Sequence, residues 1–352
     1  MTEPIPPAGA SATTSIARPE DCDDVFDSAD LVDPPLPRDS LGIVALDIGG
    51  TKTAMAAIDA AGTVLAGCRV ATREPGEDMA HALDRLLRLA REQAAAVTRD
   101  GRREIVAVGL VCPGTVTSAG VELSPNLPGI ENVDVLGLAR AAFGTVPVVV
   151  ANDVKAAGLA EVRSGALVGA DPGLFVNLGT GVAAALTVGG RIVGGARGVA
   201  GEIGYSLVPG RPDEPDLESL IGGGPLVART QALYALAGNG PPPDAAAILT
   251  SADPRLRAVA EHALDVLAGH VLNLHLALDP TRIALGGGLM AVSDRILDVL
   301  RGFLAKHSPG TPDPGEAMVA ARYIHDGALR GAAALAWDVV RGERPRWALT
   351  TR

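Results

Sequence analysis

LGIVALDIGGTKTAMAAI, Leu41 to Ile58, is the stretch on which the reading of this chain turns. Two runs rich in β-branched and small apolar residues flank Gly49-Gly50-Thr51-Lys52, and the Gly-Gly pair predicts a tight hairpin turn between two strands. Without a Cβ, Gly49 and Gly50 can take a positive φ and let the backbone approach a ligand closely. Thr51 adds a hydroxyl, and several N–H groups point one way. Such a turn suits phosphate. Asp47 ends the first strand beside it, and a carboxylate there repels phosphate unless a divalent cation lies between them, which implies Mg²⁺. A hairpin with a helpful glycine pair also explains this stretch alone, so the rest of the chain must decide.

Working outward, 352 residues are enough for two domains of ordinary size. With 47% apolar and 20% charged residues the balance is that of a soluble globular protein. A net charge of −11 argues against a nucleic-acid or anionic-membrane partner, because counterion release needs a basic surface. ATP remains possible, held by Mg²⁺ and backbone amides. Cys22, Cys68 and Cys112 are too far apart for a disulfide framework or a zinc site, so a reducing cytoplasm is the expected location. No signal peptide and no run of about 18 apolar residues is present, which predicts neither export nor membrane insertion.

Residues 1–40 are rich in proline and acidic residues, with almost no periodic apolar pattern, and read as a mobile tail without a helix-turn-helix. After the opening hairpin a third strand is predicted from Gly62 to about Ala71. Met79, Leu83, Leu86, Leu87, Ala90 and Ala94 then recur at helical spacing. Ile105 to Cys112 is a buried strand ending at Pro113-Gly114, and Val146 to Ala151 another ending at Asn152-Asp153. A βββαβαβ order emerges, with ligand groups at the strand ends. The order repeats with Leu174 to Leu178, the Gly179-Thr180-Gly181 turn, Val182 to Val188, and Ile192-Val193 after a glycine turn. A long helix from Arg255 to Leu278 buries Val259, Ala263, Val266, Leu267, Val271, Leu274 and Leu278. A strand from Arg282 to Leu285 stops at Gly286-Gly287-Gly288, a helix spans Leu289 to Leu304, and a final helix runs from about Gly327 to Val340.

Two segments, Gly179 to Ala184 and Gly286 to Ala291, match G-x-G-x-x-A, but a dinucleotide site also needs a helix after the glycines and an acidic residue about 20 positions on. Neither has both. Asn152-Asp153 reads as a helix N-cap whose side chains also emerge at the carboxyl edge of a sheet, where ligands bind. Taken alone, Glu202 between Gly201 and Gly204 is a loop carboxylate and Glu218 a first-turn helix residue. The histidines form no metal-ligand cluster.

DIGGTKT at Asp47 to Thr53, PNLPG at Pro125 to Gly129, AND at Ala151 to Asp153, LGTGVAAALTVGGRIVGGARGVAGEIG at Leu178 to Gly204, and IALGGGL at Ile283 to Leu289 together resemble the ordered motifs of the ROK family. That family joins sugar kinases and sugar-responsive repressors. The resemblance spans Leu41 to Val340 and implies an α/β, two-domain actin-like ATPase fold, a duplicated ribonuclease H-like βββαβα unit with a cleft between domains. It implies a smaller domain over 41–151 joined by the C-terminal helix, about 327–341, and a larger one over 152–326.

The resemblance further implies that Asp47 meets Mg²⁺, through water, and that Gly49, Gly50, Thr51, Lys52 and Thr53 meet the ATP phosphates. Gly179, Thr180 and Gly181 would hold phosphate from the other domain, and Gly286, Gly287 and Gly288 would pass beside adenosine. Gly114, Asn126, Asn152, Asp153, Glu202 and Glu218 would face the sugar, with Asp153 as catalytic base. A homodimer is implied as well. The family's G-E-x-G-H motif and Cys-rich zinc loop are altered, since Tyr205 replaces the His and Ser206 to Asp216 contains no Cys. Zinc is therefore expected to be absent. Tyr205 is expected to shape the acceptor site by burying its ring and presenting its hydroxyl, and the run from Pro209 to Pro215 to stiffen the loop. The expected function is an ATP-dependent kinase acting on a hydroxyl, a primary one, of a hexose or hexose-like cyclitol. The rivals are a sugar-responsive regulator and a non-catalytic sugar-binding protein.

Overall fold

Leu41–Ile48 forms the central strand β1, and both of its faces are covered. Ile43 and Ala45 lie in one core, and Val44, Leu46 and Ile48 in another. A strand buried on both faces reads as a continuous apolar run, as this one does. The structure, a computed structural model, describes residues 40–99, 101–208, 211, 213–236, 243–309 and 315–351. Of the expected tail, residues 1–39 lie outside the described residues, as do 209, 210 and 212 of the proline-rich run.

β1 pairs antiparallel with β2 (Lys52–Asp59), and β2 with β3 (Val64–Ala71). Helix α1 (Met79–Thr98) is capped by Asp78, which accepts the His81 N–H at 2.9 Å, and leads to β4 (Glu104–Cys112). The short hairpin β5 (Thr115–Thr117) and β6 (Gly120–Glu122) precedes α2 (Val135–Phe143), β7 (Val148–Asn152) and α3 (Asp153–Ser164). The second half opens in the same way with β8 (Gly173–Leu178), β9 (Val182–Val188) and β10 (Arg191–Ile192). Then come α4 (Leu217–Ile221), α5 (Gly223–Leu236), α6 (Ala245–Leu249), α7 (Pro254–Leu278), β11 (Arg282–Gly286), α8 (Ser293–His307), β12 (Met318–Ala320), α9 (Gly327–Val340) and β13 (Leu349–Thr350).

The strand orders display the duplication. One sheet runs β13-β7-β4-β1-β2-β3 and the other β10-β9-β8-β11-β12. In each, an antiparallel meander is followed by parallel strands. α1 and α2 cover the outer face of the first sheet, and α7 and α8 that of the second. α3 and α9 pack on each other between the two sheets, in a core containing Phe175, Leu329, Leu335 and Trp337 among many alanines.

Small side chains let this middle layer pack tightly. A Cβ on Gly109 of β4 would strike the Ala332 carbonyl, and one on Gly331 would strike the Ala156 carbonyl. Both obstacles are backbone. Gly331→Ala is therefore expected to destabilise by about 1–3 kcal/mol, the usual cost of overpacking, in spite of its better helix propensity. Urea unfolding measures this, and a variant as stable as the parent would mean that α3 and α9 separate easily.

Several local readings need correction. The buried face of α7 is Leu256, Ala260, Ala263, Leu264, Leu267, Ala268, Val271 and His275, so Val259, Val266, Leu274 and Leu278 lie on its half-buried flank. β10 stops at Ile192, so Val193 lies beyond the strand. After β11 the chain makes a 3₁₀ turn, Gly288–Val292, which buries Leu289 and Met290 before α8 begins at Ser293. Gly287, at φ 90°, redirects the backbone into it. No helix among the described residues is long and apolar enough to cross a membrane.

Candidate active site

The parallel strands deliver their last residues to one edge. Asp47 pairs with Val111, and Cys112 with Asn152, so Asp47 and the Asn152-Asp153 step lie at the same end of the first sheet. In the second sheet Asn177 pairs with Gly286, so the turns after β8 and β11 are neighbours. A Cβ on Gly287 would lie 2.5 Å from the Leu178 carbonyl oxygen. Facing these edges is a cavity of about 350 Å³, whose lining includes Gly49, Gly50, Thr51, Gly114, Asn126, Asn152, Asp153, Thr180, Gly181, Glu202, Tyr205 and Glu218. Asp47, Lys52, Thr53, Gly179 and Gly286 to Gly288 are not in its wall.

The glycine turn differs from expectation. Neither Gly49 nor Gly50 has a positive φ. Glycine is required by proximity instead, because a Cβ on Gly50 would strike the Asn126 carbonyl and one on Gly49 would lie 2.8 Å from the Lys52 carbonyl. The Gly49 N–H donates to that same Lys52 carbonyl at 3.1 Å. Thr53 does not face a ligand. It is fully buried, with its hydroxyl 3.0 Å from that of Thr72, which itself donates to the Gly49 carbonyl at 2.7 Å. Thr53 therefore braces the turn from beneath. Lys52 is exposed at the start of β2.

Asn152 is committed to the protein. It caps α3 by accepting the Lys155 N–H at 2.9 Å, and its amide donates to the Gly114 carbonyl at 2.9 Å and to Asp153 Oδ1 at 3.2 Å. It aims its neighbour and has no polar hydrogen left for a sugar, contrary to expectation. Gly114, at φ 100°, lines the cavity and supplies that carbonyl.

Three carboxylates share a pattern. Asp153 Oδ1 accepts the Val154 N–H at 2.8 Å, Glu218 Oε2 accepts the Val182 N–H at 2.9 Å, and Glu202 Oε1 accepts from Lys155 Nζ at 3.1 Å. In each, the other oxygen has no hydrogen-bond partner among the described residues. One oxygen fixes the group and the other remains for a ligand donor.

Crowding of these groups shows in their acidity. Burial pushes Asp47 up to about 7, the Asp153 charge adds to this, and Arg69 opposes it. Burial likewise raises Asp153 to about 6, against the Val154 N–H bond and Lys155 and helped by Glu202. Burial raises Glu218 as well, against its Val182 bond. Burial beside Asp153 and Asp47 keeps the Cys112 thiol protonated.

Tyr205 ends a 3₁₀ turn, Ile203–Tyr205, that buries Ile203 and leaves the Tyr205 side chain 47% exposed at the cavity mouth. Its hydroxyl is directed to the Leu123 carbonyl at a long 3.5 Å. The expected buried ring is thus half-exposed. The following loop is closed where the Leu217 N–H donates to the Ser206 carbonyl at 3.0 Å, and Glu214 Oε2 lies 3.2 Å from His262 Nε2 of α7 without hydrogen-bond geometry.

Sequence reading overlooked Lys155, Asn177, Leu123 and Ser124. Leu123 takes a positive φ of 52° in the cavity wall, and the buried Ser124 hydroxyl has no partner among the described residues. Asn177, in the wall two residues before Gly179, could have been noticed from its place at a strand end.

The model of the ROK family matches residues 43–339. A bifunctional enzyme NanE/NanK of Brucella melitensis is 32% identical over 94% of this chain, and the chain spans 60% of the length of that relative. Among solved structures, a ROK hexokinase from Thermus thermophilus superposes with a TM-score of 0.67 and 29% identity, covering 86% of this chain and 99% of that one. A ROK family glucokinase from Streptomyces griseus, in complex with glucose and AMPPNP, gives a TM-score of 0.63 and 27% identity, covering 84% and 99%. These hexokinase and glucokinase structures have the two-domain actin-like fold found here.

Proposed function

The chain belongs to the ROK family, and from that premise we propose that it is an ATP-dependent kinase of a hexose or hexose-like cyclitol, transferring phosphate to a primary hydroxyl. The observation that carries this is the trio Asp153, Glu202 and Glu218, which line a cavity that the Gly49-Gly50-Thr51 turn also borders, each with one oxygen anchored and the other without a partner among the described residues. The names of the similar hexokinase and glucokinase and of the NanE/NanK relative support it.

In this reading the open oxygens of Glu202 and Glu218 accept two acceptor hydroxyls, and Asn126 binds a third. Asp153 Oδ2 takes the proton of the reacting hydroxyl as its oxygen attacks the γ-phosphorus. The β–γ bridging P–O bond breaks, and ADP leaves with that bond's electrons. Gly49 to Thr51 and Gly179 to Gly181 would cradle phosphates from opposite sheets, with Gly286 to Gly288 beside adenosine. Asp47 suits Mg²⁺, since it is a hard oxygen donor whose charge the protein leaves poorly compensated. The described residues hold no group of three or more metal-binding side chains, which fits an ion that keeps much of its water. When bound, Mg²⁺ would neutralise charge on the phosphate oxygens. The division of the lobes near Ala151, with α9 returning to β1 and β4, and a homodimeric assembly belong to the same proposal.

Cyclitols enter because the altered loop lies at the acceptor side. Tyr205 has no titrating imidazole and narrows the mouth with its ring, so fit at the end of the acceptor remote from Asp153 should differ from that of glucose. Losing one hydrogen bond costs about 0.5–1.5 kcal/mol, so preference between glucose and a carbocyclic analogue should move by about tenfold. ADP release measured with and without EDTA across hexoses, N-acetylhexosamines and cyclitols tests both levels. Turnover that survives EDTA removes the metal role. An ordinary glucose preference that Tyr205→His leaves unchanged removes the cyclitol reading.

A further inference from the structure

We propose that Lys155 is a positioning residue that determines acceptor recognition by holding Glu202 in its working rotamer. The inference rests on the kinase reading above. Among the three open carboxylates, Asp153 and Glu218 are each anchored by a backbone N–H, which does not depend on the donor's side chain. Glu202 is different, because its anchor is a side chain. Lys155 Nζ meets Glu202 Oε1 at 3.1 Å, with the two side chains 3% and 15% exposed.

Geometry explains the arrangement. Glu202 follows a bend at Gly201, φ 88°, where the chain passes close to the Ala184 carbonyl, and Glu202 itself makes no side-chain cap to the 3₁₀ turn after it. No local N–H is therefore bonded to its carboxylate. Lys155 is two residues after Asp153 in the first turns of α3, the same helix that aims the base. One rigid element thus fixes the base directly and the hydroxyl ligand through an ion pair. Lys155 is outside the cavity wall, so it acts through Glu202 and not on the acceptor.

A buried pair such as this gives little net stability over apolar residues of similar volume, whereas removing one partner strands the other. The pair is therefore better explained by what Glu202 must do than by the stability it adds. Lys155 also places a positive charge near Asp153, which is otherwise faced by Glu202 from the loop after β10, Asp47 from β1 and Cys112 from β4. Neutralising Lys155 removes the one cation in that set.

The test uses the full chain with Lys155→Gln, Glu202→Gln and the double variant, read by steady-state kinetics with the best acceptor, calorimetric acceptor binding, and thermal unfolding. Lys155→Gln is expected to raise acceptor KM and Kd by about tenfold or more while ATP KM stays within about twofold. The acid limb of its pH profile should move to higher pH. In the Glu202→Gln background the same substitution should change acceptor binding by less than about threefold, since the two residues act as one unit. A purely structural role predicts a lower Tm with acceptor KM and pH profile unchanged, and would overturn the proposal. Additive losses in the double variant would also overturn it. Should Lys155→Gln not fold, Lys155→Met and the folded double variant carry the same comparison. A parent protein that turns over no acceptor refutes the kinase reading instead, so the two failures are distinct.

Discussion

Asp153→Asn is expected to lower kcat by about 10²- to 10⁴-fold, the usual worth of general-base assistance, with ATP binding little changed. The substitution is close to isosteric. An asparagine oxygen can still accept the Val154 N–H, so the start of α3 and the cap made by Asn152 should persist. What is lost is the second oxygen, the only part of Asp153 without a protein partner among the described residues. The pH dependence checks the same assignment. Asp153 is held at about 6, so the deprotonated base dominates above that value and kcat/KM should fall as pH drops through it. The residual activity of the asparagine variant should lack that limb. Near-normal kcat, or an acid limb that survives the substitution, would remove Asp153 from the base role.

What could be read before the structure, and what could not, follows from distance along the chain. Asp47, Asn126, Asp153, Glu202 and Glu218 each sit in a local pattern at a strand end, a tight turn or a helix start, and pattern is visible in a sequence. Their supports come from elsewhere. Lys155 reaches a residue 47 positions on, Val182 anchors one 36 positions on, and Thr53 is paired with Thr72, 19 positions away. No spacing rule announces such contacts. The motif groups Thr53 with the turn residues, but the structure separates it from them. It already lies in β2, on the side facing Thr72. The face of α7 is not legible in the sequence because apolar residues surround much of that helix, and only the neighbours it packs on select Leu256, Ala260 and Ala263 over Val259 and Val266. Gly49 and Gly50 are required for a reason that the sequence does not display. Neither has a positive φ, and the close approach of the Lys52 carbonyl at Gly49 and of the Asn126 carbonyl at Gly50 is what excludes a side chain.

Asp47→Asn should show that the first carboxylate is maintained against the stability of the fold. In the absence of metal, burial and the nearby Asp153 hold Asp47 at about 7, above its ordinary 3.8. The sign follows directly. A raised carboxylate pKa means that the folded state binds more protons than the unfolded chain, so the ionised group costs nothing below about pH 3.8. Its penalty grows from there to pH 7 and is fully present above it. Each unit of pKa difference is worth about 1.4 kcal/mol, so the neutral amide should stabilise the metal-free protein by a few kcal/mol at pH 8 and by almost nothing near pH 4. Thermal unfolding at the two pH values measures the difference, with Cys112 and Asp153 unchanged in both proteins. Function should move the other way. Removing one preorganised charge at a phosphoryl-transfer site commonly costs about 10²- to 10³-fold in rate, and the variant should lose that much of its Mg²⁺-dependent turnover. Mg²⁺ with nucleotide should raise the Tm of the parent far more than that of the variant, because only the parent has the Asp47 charge for the ion to relieve. A variant that is less stable than the parent at pH 8, or equally stabilised by Mg²⁺-nucleotide, would mean that Asp47 is a structural carboxylate and that the metal is held elsewhere.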